Sequence, residues 1–462
     1  MEQENKQNDV EKEVEKDVEN HDERVPASVE RENKKKKMRK IGYAGIAVGI
    51  AVLSFFAGMG VTWSSLDPEL RTLLAIKQKI QKDYYEEVTD EQFYDALFSA
   101  VNDKILDDYS GYMSAEEYAE YTKDLSGNRA GLGVVFRTKT DSGEDQLLIT
   151  RVCGNSPAES AGIKAGEYVV GFGSTETALT YSVSYDEFYE FLQDYGAGEK
   201  FYLQVENNGS ARTLEISREE YVENYVFYRS NTTAYAFGTV DSRLEIAQDN
   251  PLASLDDDTA YIRITQFTGN ASGAFITAMQ IFEREGKKNL VLDLRGNGGG
   301  YLTAMQTISA YFCKTATSEA PVVAIADYGK KQEIFRARTN LYDQYFQDDS
   351  RIVLLADGDS ASASECLIGC MLDYGAITYA DICLTEDNGV AKTYGKGIMQ
   401  TTYFVNYIEG NAIKLTTARV LWPISKACIH DRGVVSADGT KTVARSYDGD
   451  TELNNALAVL FD

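Results

Sequence analysis

The strongest constraint on the fold is an alternation of apolar strand patterns with helical patterns that begins near residue 259. In chain order it predicts a strand at 261–264, a helix near 271–285, a strand at 290–294, a helix ending near 312, strands at 322–325 and 352–355, and a helix from about 360 to 374. Strands that are joined through helices run parallel, with right-handed crossovers. We therefore predict an α/β core with a mainly parallel sheet over residues 223–445.

A different pattern precedes this core. Residues 128–222 contain many short strand patterns and few helical ones, which predicts a small β-rich module. One helix is expected at 184–193, since Ser184 and Glu187 stand where a helix cap requires them. Residues 68–127 show helical periodicity, with a capping box at Thr89–Gln92, and residues 446–462 form a C-terminal segment.

The N-terminal part is predicted to differ from both regions. Residues 1–40 form a charged tail that we expect to be disordered and cytoplasmic. Residues 41–62 form an uncharged run of 22 residues, which is long enough for a transmembrane helix. Six basic residues precede this run within 34–40. The positive-inside rule then places residues 63–462 outside the cell. A cleaved signal peptide is the alternative.

Charge and cysteine content narrow the classes of partner. The formal net charge of −26 argues against nucleic acid and against broad docking on an anionic lipid surface. The six cysteines lack the spacing of a zinc site, so we expect no metal. We interpret them as buried free thiols, with a Cys383–Cys428 disulfide as the alternative.

The chain has only two histidines, and neither is placed as a catalytic base would be. His21 lies in the charged tail and His430 lies near the C-terminus. A serine-rich run at 358–365 follows an apolar strand, and Lys396 stands between two glycines. Because a desolvated lysine can accept a proton near neutral pH, a Ser/Lys hydrolase is a candidate class. The serine run on its own is equally compatible with an ordinary helix N-cap.

A second motif is the glycine-rich run 293–300 between a strand and a helix. Glycines at such a turn expose backbone N–H groups, which suits an oxyanion-binding loop. A nucleotide phosphate loop is a weaker reading because the full glycine fingerprint is missing. A tight turn with no binding role is the third.

Together, these motifs resemble those of the C-terminal processing peptidases, the S41 family of serine proteases. The resemblance covers residues 68–440 and rests on Asp107–Tyr112, Asp293–Gly300, Gly358–Glu365, Thr393–Gln400, and Leu415–Ala418 with Pro423. It implies a PDZ-like β-rich domain inserted before an α/β peptidase core of the ClpP/crotonase-like type.

The resemblance also implies a set of site residues and needs no cofactor. Ser362 would be the nucleophile, Lys396 the general base, and Gln400 the residue that orients the lysine. The backbone N–H groups of Ala363 and Gly299 would bind the oxyanion.

The PDZ-like module would recognise a peptide C-terminus by adding it as a strand. Its carboxylate loop would be formed by Gly131, Leu132, Gly133 and Val134, with the helix at 184–193 as the other wall. A packing domain without peptide affinity is the alternative. The expected partners are protein or peptide substrates with free C-termini, and a homodimer is left open.

One departure from the family is the longer separation of Ser362 and Lys396. The extra residues fall in 381–392, which we interpret as a polar surface loop, and Lys392 is a rival for the role of base. The favoured function is a membrane-anchored, extracytoplasmic serine endopeptidase. The rivals are an inactive peptide-binding scaffold of the same fold and a nucleotide-binding protein that uses the 296–300 loop.

Overall fold

The computed structural model describes residues 66–141, 144–181, 184–240, 243–248, 252–317, 319–406, 408–437, 439–446 and 451–461. The chain divides into two compact units between Leu97 and Phe98. The predicted tail at 1–40 and the predicted membrane span at 41–62 lie outside the described residues.

The predicted transmembrane helix is the part of the fold class that requires correction. Among the helices that the structure describes, none combines the length and the apolar character needed to cross a bilayer. The longest, Pro68–Asp83, has 16 residues, whereas a membrane span needs about 20 apolar residues. The predicted extracellular placement depended on that span.

The first unit contains α1 (Pro68–Asp83) and the start of α2 (Asp90–Lys104). Pro68 occupies the first turn of α1, where its missing N–H costs nothing, and Asp67 caps that turn. The capping box predicted for α2 is confirmed: the backbone N–H of Thr89 donates to Gln92 Oε1 at 3.0 Å, and that of Gln92 donates to Thr89 Oγ1 at 3.2 Å.

The β-rich module lies in the second unit. Its elements, with the two that precede them, are β1 (Gly111–Met113), α3 (Ala115–Leu125), β2 (Asn128–Gly131), β3 (Val134–Asp141), β4 (Glu144–Val152), α4 (Pro157–Ser160), β5 (Tyr168–Thr175), β6 (Ala178–Thr180), α5 (Tyr185–Gln193), β7 (Lys200–Asn207), β8 (Ser210–Ser217) and β9 (Glu219–Val222). Strands β3, β4, β5, β7 and β8 form an antiparallel sheet in that order, with β6 beside β5. The predicted helix cap at Ser184 is confirmed for α5, which buries Phe188 against the rings of Phe136 and Phe172.

Strands β2 and β9 pair antiparallel, with Asn128 opposite Val222. The first and last strands of the module therefore meet, and the chain enters and leaves the module at one place.

The core contains the remaining elements. They are β10 (Val226–Arg229), β11 (Ala234–Val240), β12 (Arg243–Gln248), β13 (Thr259–Ile264), α6 (Ala271–Arg284), β14 (Asn289–Asp293), α7 (Leu302–Ser309), β15 (Val322–Asp327), β16 (Gln332–Arg336), α8 (Tyr342–Tyr345), β17 (Ile352–Ala356), α9 (Ala363–Asp373), a 3₁₀ turn (Tyr379–Asp381), β18 (Ile382–Glu386), β19 (Ile398–Asn406), β20 (Asn411–Leu421), β21 (Lys441–Ala444) and α10 (Thr451–Phe461).

The main sheet has the order β12-β11-β10-β13-β14-β17-β18-β21. Strands β13, β14, β17, β18 and β21 run parallel to one another. Strands β10 to β12 pair antiparallel, and β10 also pairs antiparallel with β13. Helices α6, α7 and α9 contribute to the large apolar cluster on one face, and α10 packs on the other. A parallel sheet covered on both faces explains why its strands are continuous apolar runs.

Two expectations about the core were wrong in detail. Strand β15 lies in a second, antiparallel sheet with the order β1-β20-β15-β16, where β19 pairs with β20. The segment at 381–392 is not mainly a polar loop, because β18 is buried and pairs with β17 and β21 in the main sheet. Only the short turn at 387–390 separates β18 from the approach to Lys396.

The cysteines are free thiols. Five of them are buried and Cys428 is half-buried, so the interpretation as buried thiols is confirmed and the Cys383–Cys428 disulfide was wrong. Cys383 lies in the apolar cluster beside α10, while the thiol of Cys428 faces the carbonyl of Gly397 at 3.7 Å.

Candidate active site

The turn after β14 is fixed by the polar residues of the glycine-rich motif. The buried carboxylate of Asp293 accepts hydrogen bonds from the Arg295 backbone N–H at 2.9 Å and from the Tyr261 hydroxyl at 2.6 Å. Burial alone would raise the pKa of Asp293, but the adjacent Arg295 guanidinium lowers that pKa to about 2. The first residue of the motif is therefore a charged anchor for the turn.

Asn297 connects this turn to its neighbours. Its amide donates to the carbonyl of Ile264 at 2.8 Å, and its side-chain oxygen accepts the N–H of Gly299 at 2.9 Å. Its own carbonyl accepts the N–H of Ala361 at 2.9 Å and the Ser364 hydroxyl at 2.8 Å. Asn297 is fully buried, so it holds the glycine turn directly against the serine turn.

Gly299 approaches the serine turn more closely than any side chain would permit. Its φ is +101°, and a Cβ at this position would lie 2.7 Å from Ser362 Cβ and 2.9 Å from the carbonyl oxygen of Ala361. Only glycine fits both the dihedral angle and the space.

The serine run contains one half-buried serine between two buried ones. Ser360 donates to the Leu294 carbonyl at 2.8 Å, and Ser364 donates to Asn297, so both hydroxyls are used by the fold. Ser362 has φ +57° and ψ −111°, a conformation that non-glycine residues rarely adopt. Because such strain persists only where the surroundings enforce it, Ser362 is the serine whose conformation calls for a functional explanation.

Glu365 joins the serine turn to the segment that carries the lysine. Its fully buried carboxylate accepts the N–H groups of Ser362 at 2.9 Å, Gly395 at 2.8 Å and Lys396 at 2.9 Å, and the Thr393 hydroxyl at 2.5 Å. Burial raises the pKa of Glu365, an effect that these donors oppose. Glu365 belongs to the serine motif at 358–365, but no role was predicted for it from the sequence.

Lys396 is half-buried beneath the ring of Tyr109, with its Nζ 5.0 Å from the ring centroid. Burial lowers the pKa of Lys396, and the nearby Lys414 ammonium lowers it further, whereas Asp107 acts in the opposite direction. These are the conditions under which a lysine can supply a neutral amine.

Gln400 lies on β19 and donates its side-chain amide to the carbonyl of Tyr109. It therefore holds the residue whose ring covers Lys396. The segment Asp107–Tyr112 was noted in the sequence, but its contact with the lysine was missed because no local pattern links positions so far apart in the chain.

A cavity of about 630 Å³ brings the predicted catalytic and oxyanion residues together. Ser362, Ala363, Gly299, Lys396 and Gln400 all line it. The rest of its wall is mostly apolar and includes Tyr118, Tyr121, Leu125, Leu302, Ile398, Met399, Val420, Trp422 and Ile429, together with Lys414.

The rivals for the base do not line this cavity. Lys392 is absent from its wall and is paired through its backbone with Val435. His430 lies closer to the lysine segment than its position in the sequence indicates. It packs against Gly397, and its ring centroid lies 6.2 Å from that of Tyr109. It also lies outside the cavity lining.

The glycine turn is poorly suited to a nucleotide phosphate. The N–H of Gly296 donates to the Asp357 carboxylate at 2.9 Å, and that of Gly299 donates to Asn297. Two of the amides that a phosphate would need are thus bound within the protein, one of them to an anion.

The predicted peptide-binding residues lie in a separate groove of about 310 Å³ on the β-rich module. Gly131, Leu132, Gly133 and Val134 form one side, and α5 contributes Tyr185, Phe188, Tyr189 and Leu192 to the other. Gly133 has φ +82°, and a Cβ there would lie 2.1 Å from Ser156 Cβ.

Residues 258–437 match the model described as "Peptidase family S41". Over these residues the chain is similar to the S41 peptidases.

Similar proteins carry names that agree with this assignment. A protein of Staphylococcus saprophyticus named "Probable CtpA-like serine protease" is 26% identical over 83% of this chain and 69% of its own length. A protein of the same name from Staphylococcus aureus strain COL is 25% identical over 77% of this chain and 61% of its own length. The chain thus spans about two thirds of the length of these relatives.

Solved structures support the fold. A Bacteroides fragilis protein described as "Putative S41 protease" superimposes with a TM-score of 0.50 over 82% of this chain and 91% of that chain, at 15% sequence identity.

Proposed function

We propose that this chain is a serine endopeptidase that cleaves with a Ser362/Lys396 pair and recognises polypeptide C-termini through its PDZ-like β-rich module. One observation carries the proposal: Ser362 and the half-buried Lys396 line the same cavity, and their backbone amides share the carboxylate of Glu365.

The first step transfers the hydroxyl proton of Ser362 to the neutral amine of Lys396 while the serine oxygen attacks the carbonyl carbon of the scissile amide. The lowered pKa of Lys396 makes the neutral amine accessible. The same lysine then gives its proton to the departing amine, and water completes hydrolysis of the acyl-enzyme by the reverse sequence of proton transfers.

The tetrahedral intermediate needs donors for its oxyanion. Ala363 is the first residue of α9, where a backbone N–H has no acceptor within the helix and the helix dipole favours negative charge. Gly299 is close enough to contribute the second donor after its N–H leaves Asn297. Gln400 supports the lysine indirectly, by holding Tyr109 over it.

Recognition of C-termini would fall to the groove on the β-rich module. Gly131–Val134 begins at the end of β2 and leads into β3, opposite an aromatic face of α5. An extended peptide added beside β3 would place its terminal carboxylate at the backbone N–H groups of this turn.

An inactive peptide-binding protein of the same fold is the second candidate. The observation that favours it is the hydrogen bond from the Gly299 N–H to Asn297, because one predicted oxyanion donor is already engaged.

Cleavage of an unstructured polypeptide with a free C-terminus separates the two candidates. The peptidase predicts fragments that appear with the intact chain and disappear in both Ser362→Ala and Lys396→Ala. Tight peptide binding without fragments, in the intact chain and in both variants, would establish the scaffold.

A further inference from the structure

The cavity that contains Ser362 has a second lysine and no acidic wall. Lys396 and Lys414 both line it, whereas the described lining residues include no aspartate or glutamate. In a chain with a formal net charge of −26, this local excess of positive charge is unusual and points to an anionic ligand.

Lys414 is held at the wall of the cavity. It lies on β20, between Thr402 on β19 and Gly111 on β1, which are its partners in register. Its Nζ lies 5.0 Å from the ring centroid of Tyr121, and the residue is half-buried. The ammonium is therefore positioned by the sheet and by an aromatic face.

The surroundings of Lys414 leave its charge poorly compensated. Burial lowers the pKa of Lys414, and no acidic group contributes to that shift. An ammonium that is partly removed from water without a carboxylate gains most from an anionic partner that arrives with the substrate.

We propose that Lys414 binds a carboxylate of the peptide substrate inside the cavity that contains Ser362. This inference rests on the proposed peptidase function and names its substrate class: peptides with an acidic group near the scissile bond. The carboxylate comes either from an Asp or Glu side chain or from the chain terminus.

A structural alternative assigns Lys414 a different task. Its charge lies near Lys396, so it could serve only to favour the neutral form of that base. Loss of Lys414 would then slow the cleavage of every substrate by one common factor. Carboxylate binding instead changes the ratio of kcat/KM between substrates with and without a carboxylate. A factor common to all substrates cancels in that ratio.

The test compares three peptides that share one neutral core sequence. The first has an amidated C-terminus, the second has a free C-terminus, and the third is amidated with a single Glu placed in turn at positions flanking the cleaved bond. For the second and third peptides, kcat/KM is divided by the kcat/KM of the first peptide. This ratio is measured for the wild-type chain, Lys414→Met, Lys414→Arg and Lys331→Met. Lys331 is a matched control because it also lies over a tyrosine ring, Tyr328 at 4.8 Å, but is exposed outside the cavity.

We expect at least one carboxylate-bearing peptide to be favoured by about tenfold in the wild-type chain, as for a charge-assisted hydrogen bond. Lys414→Met should abolish that preference, while Lys414→Arg and Lys331→Met retain it. The peptide that loses its advantage identifies the source of the carboxylate. A preference contributed by the groove on the β-rich module would survive in Lys414→Met.

Binding measurements keep the inference separate from the proposed function. In a Ser362→Ala background, the Kd of at least one carboxylate-bearing peptide should weaken about tenfold on Lys414→Met, whether or not the wild-type chain cleaves it. Circular dichroism confirms that each variant is folded, and Lys414→Gln replaces Lys414→Met if that variant is not. Equal ratios and equal Kd values with and without the lysine would overturn the inference, whereas absent cleavage with Lys414-dependent binding would overturn only the peptidase.

Discussion

The backbone amides of Ser362 and Lys396 donate to the same oxygen, Oε2 of Glu365, each at 2.9 Å. One buried carboxylate therefore sets the spacing of two segments that are separated in sequence by α9 and β18. The relative position of the proposed nucleophile and base therefore depends on this shared acceptor. It does not require a direct contact between the two side chains.

The first prediction concerns that acceptor. Glu365→Gln replaces one carboxylate oxygen with an NH₂ group that would face N–H donors, so it should lower the free energy of unfolding by about 1–3 kcal/mol. It should also lower kcat, since the serine and lysine segments lose their common anchor. Urea unfolding and peptide cleavage measure the two effects.

Glu187→Gln is the matched control for this change. Glu187 has the same place in the first turn of α5 as Glu365 has in α9, but it is exposed and bonds only to Ser184. Its substitution should change stability by a few tenths of a kcal/mol. An equal cost at both positions would show that Glu365 acts only as a helix cap.

The second prediction concerns pH. Lys396 must be neutral to accept the serine proton, so kcat/KM should rise as pH increases through its pKa, and its burial places that rise below the ordinary range of lysine. Removing the like charge in Lys414→Met raises the pKa of Lys396, so the rising limb should move to higher pH. An unchanged limb would mean that another group is titrating.

The third prediction tests the close approach of the two turns. Gly299→Ala introduces a Cβ 2.7 Å from Ser362 Cβ at a φ of +101°, so it should cost about 1–3 kcal/mol of stability. It should also abolish cleavage, because the serine turn must move. Gly298→Ala is the control for stability, as a Cβ at that position has no neighbour within 4 Å. Both quantities come from denaturation curves and a fluorogenic peptide.

The fourth prediction concerns the groove on the β-rich module. Gly133→Ala should weaken the binding of a free C-terminal peptide, since the new Cβ would lie 2.1 Å from Ser156 Cβ and distort the turn. Gly162→Ala, also at positive φ but with open space around it, should carry only the backbone strain. Calorimetry on the Ser362→Ala chain compares the two, and equal affinities would remove the groove from peptide recognition.

The sequence was informative where the pattern is local. The strand and helix alternation from 259 to 374 is confirmed, because burial on both sheet faces forces continuous apolar strands. The helix caps at Thr89 and Ser184 are also confirmed, because each cap depends on a partner only three residues away.

Long-range arrangements could not be read in this way. Nothing in the apolar run of β15 shows that it joins a second sheet, and the polar residues after Leu384 obscure the buried strand β18. The position of Tyr109 over Lys396 depends on a contact between distant segments. The engagement of the Gly299 N–H by Asn297 is local, but it depends on the geometry of the turn and not on residue type alone.

The most direct test of the account is covalent labelling of the intact chain by a serine-directed acylating probe, with the modified residue located by mass spectrometry. The Ser362/Lys396 mechanism predicts modification of Ser362, and of neither Ser360 nor Ser364, whose buried hydroxyls are bonded within the fold. It also predicts that labelling is lost in Lys396→Ala while the variant remains folded. Modification of a different serine, or labelling of Ser362 that persists at the same rate without Lys396, would contradict it.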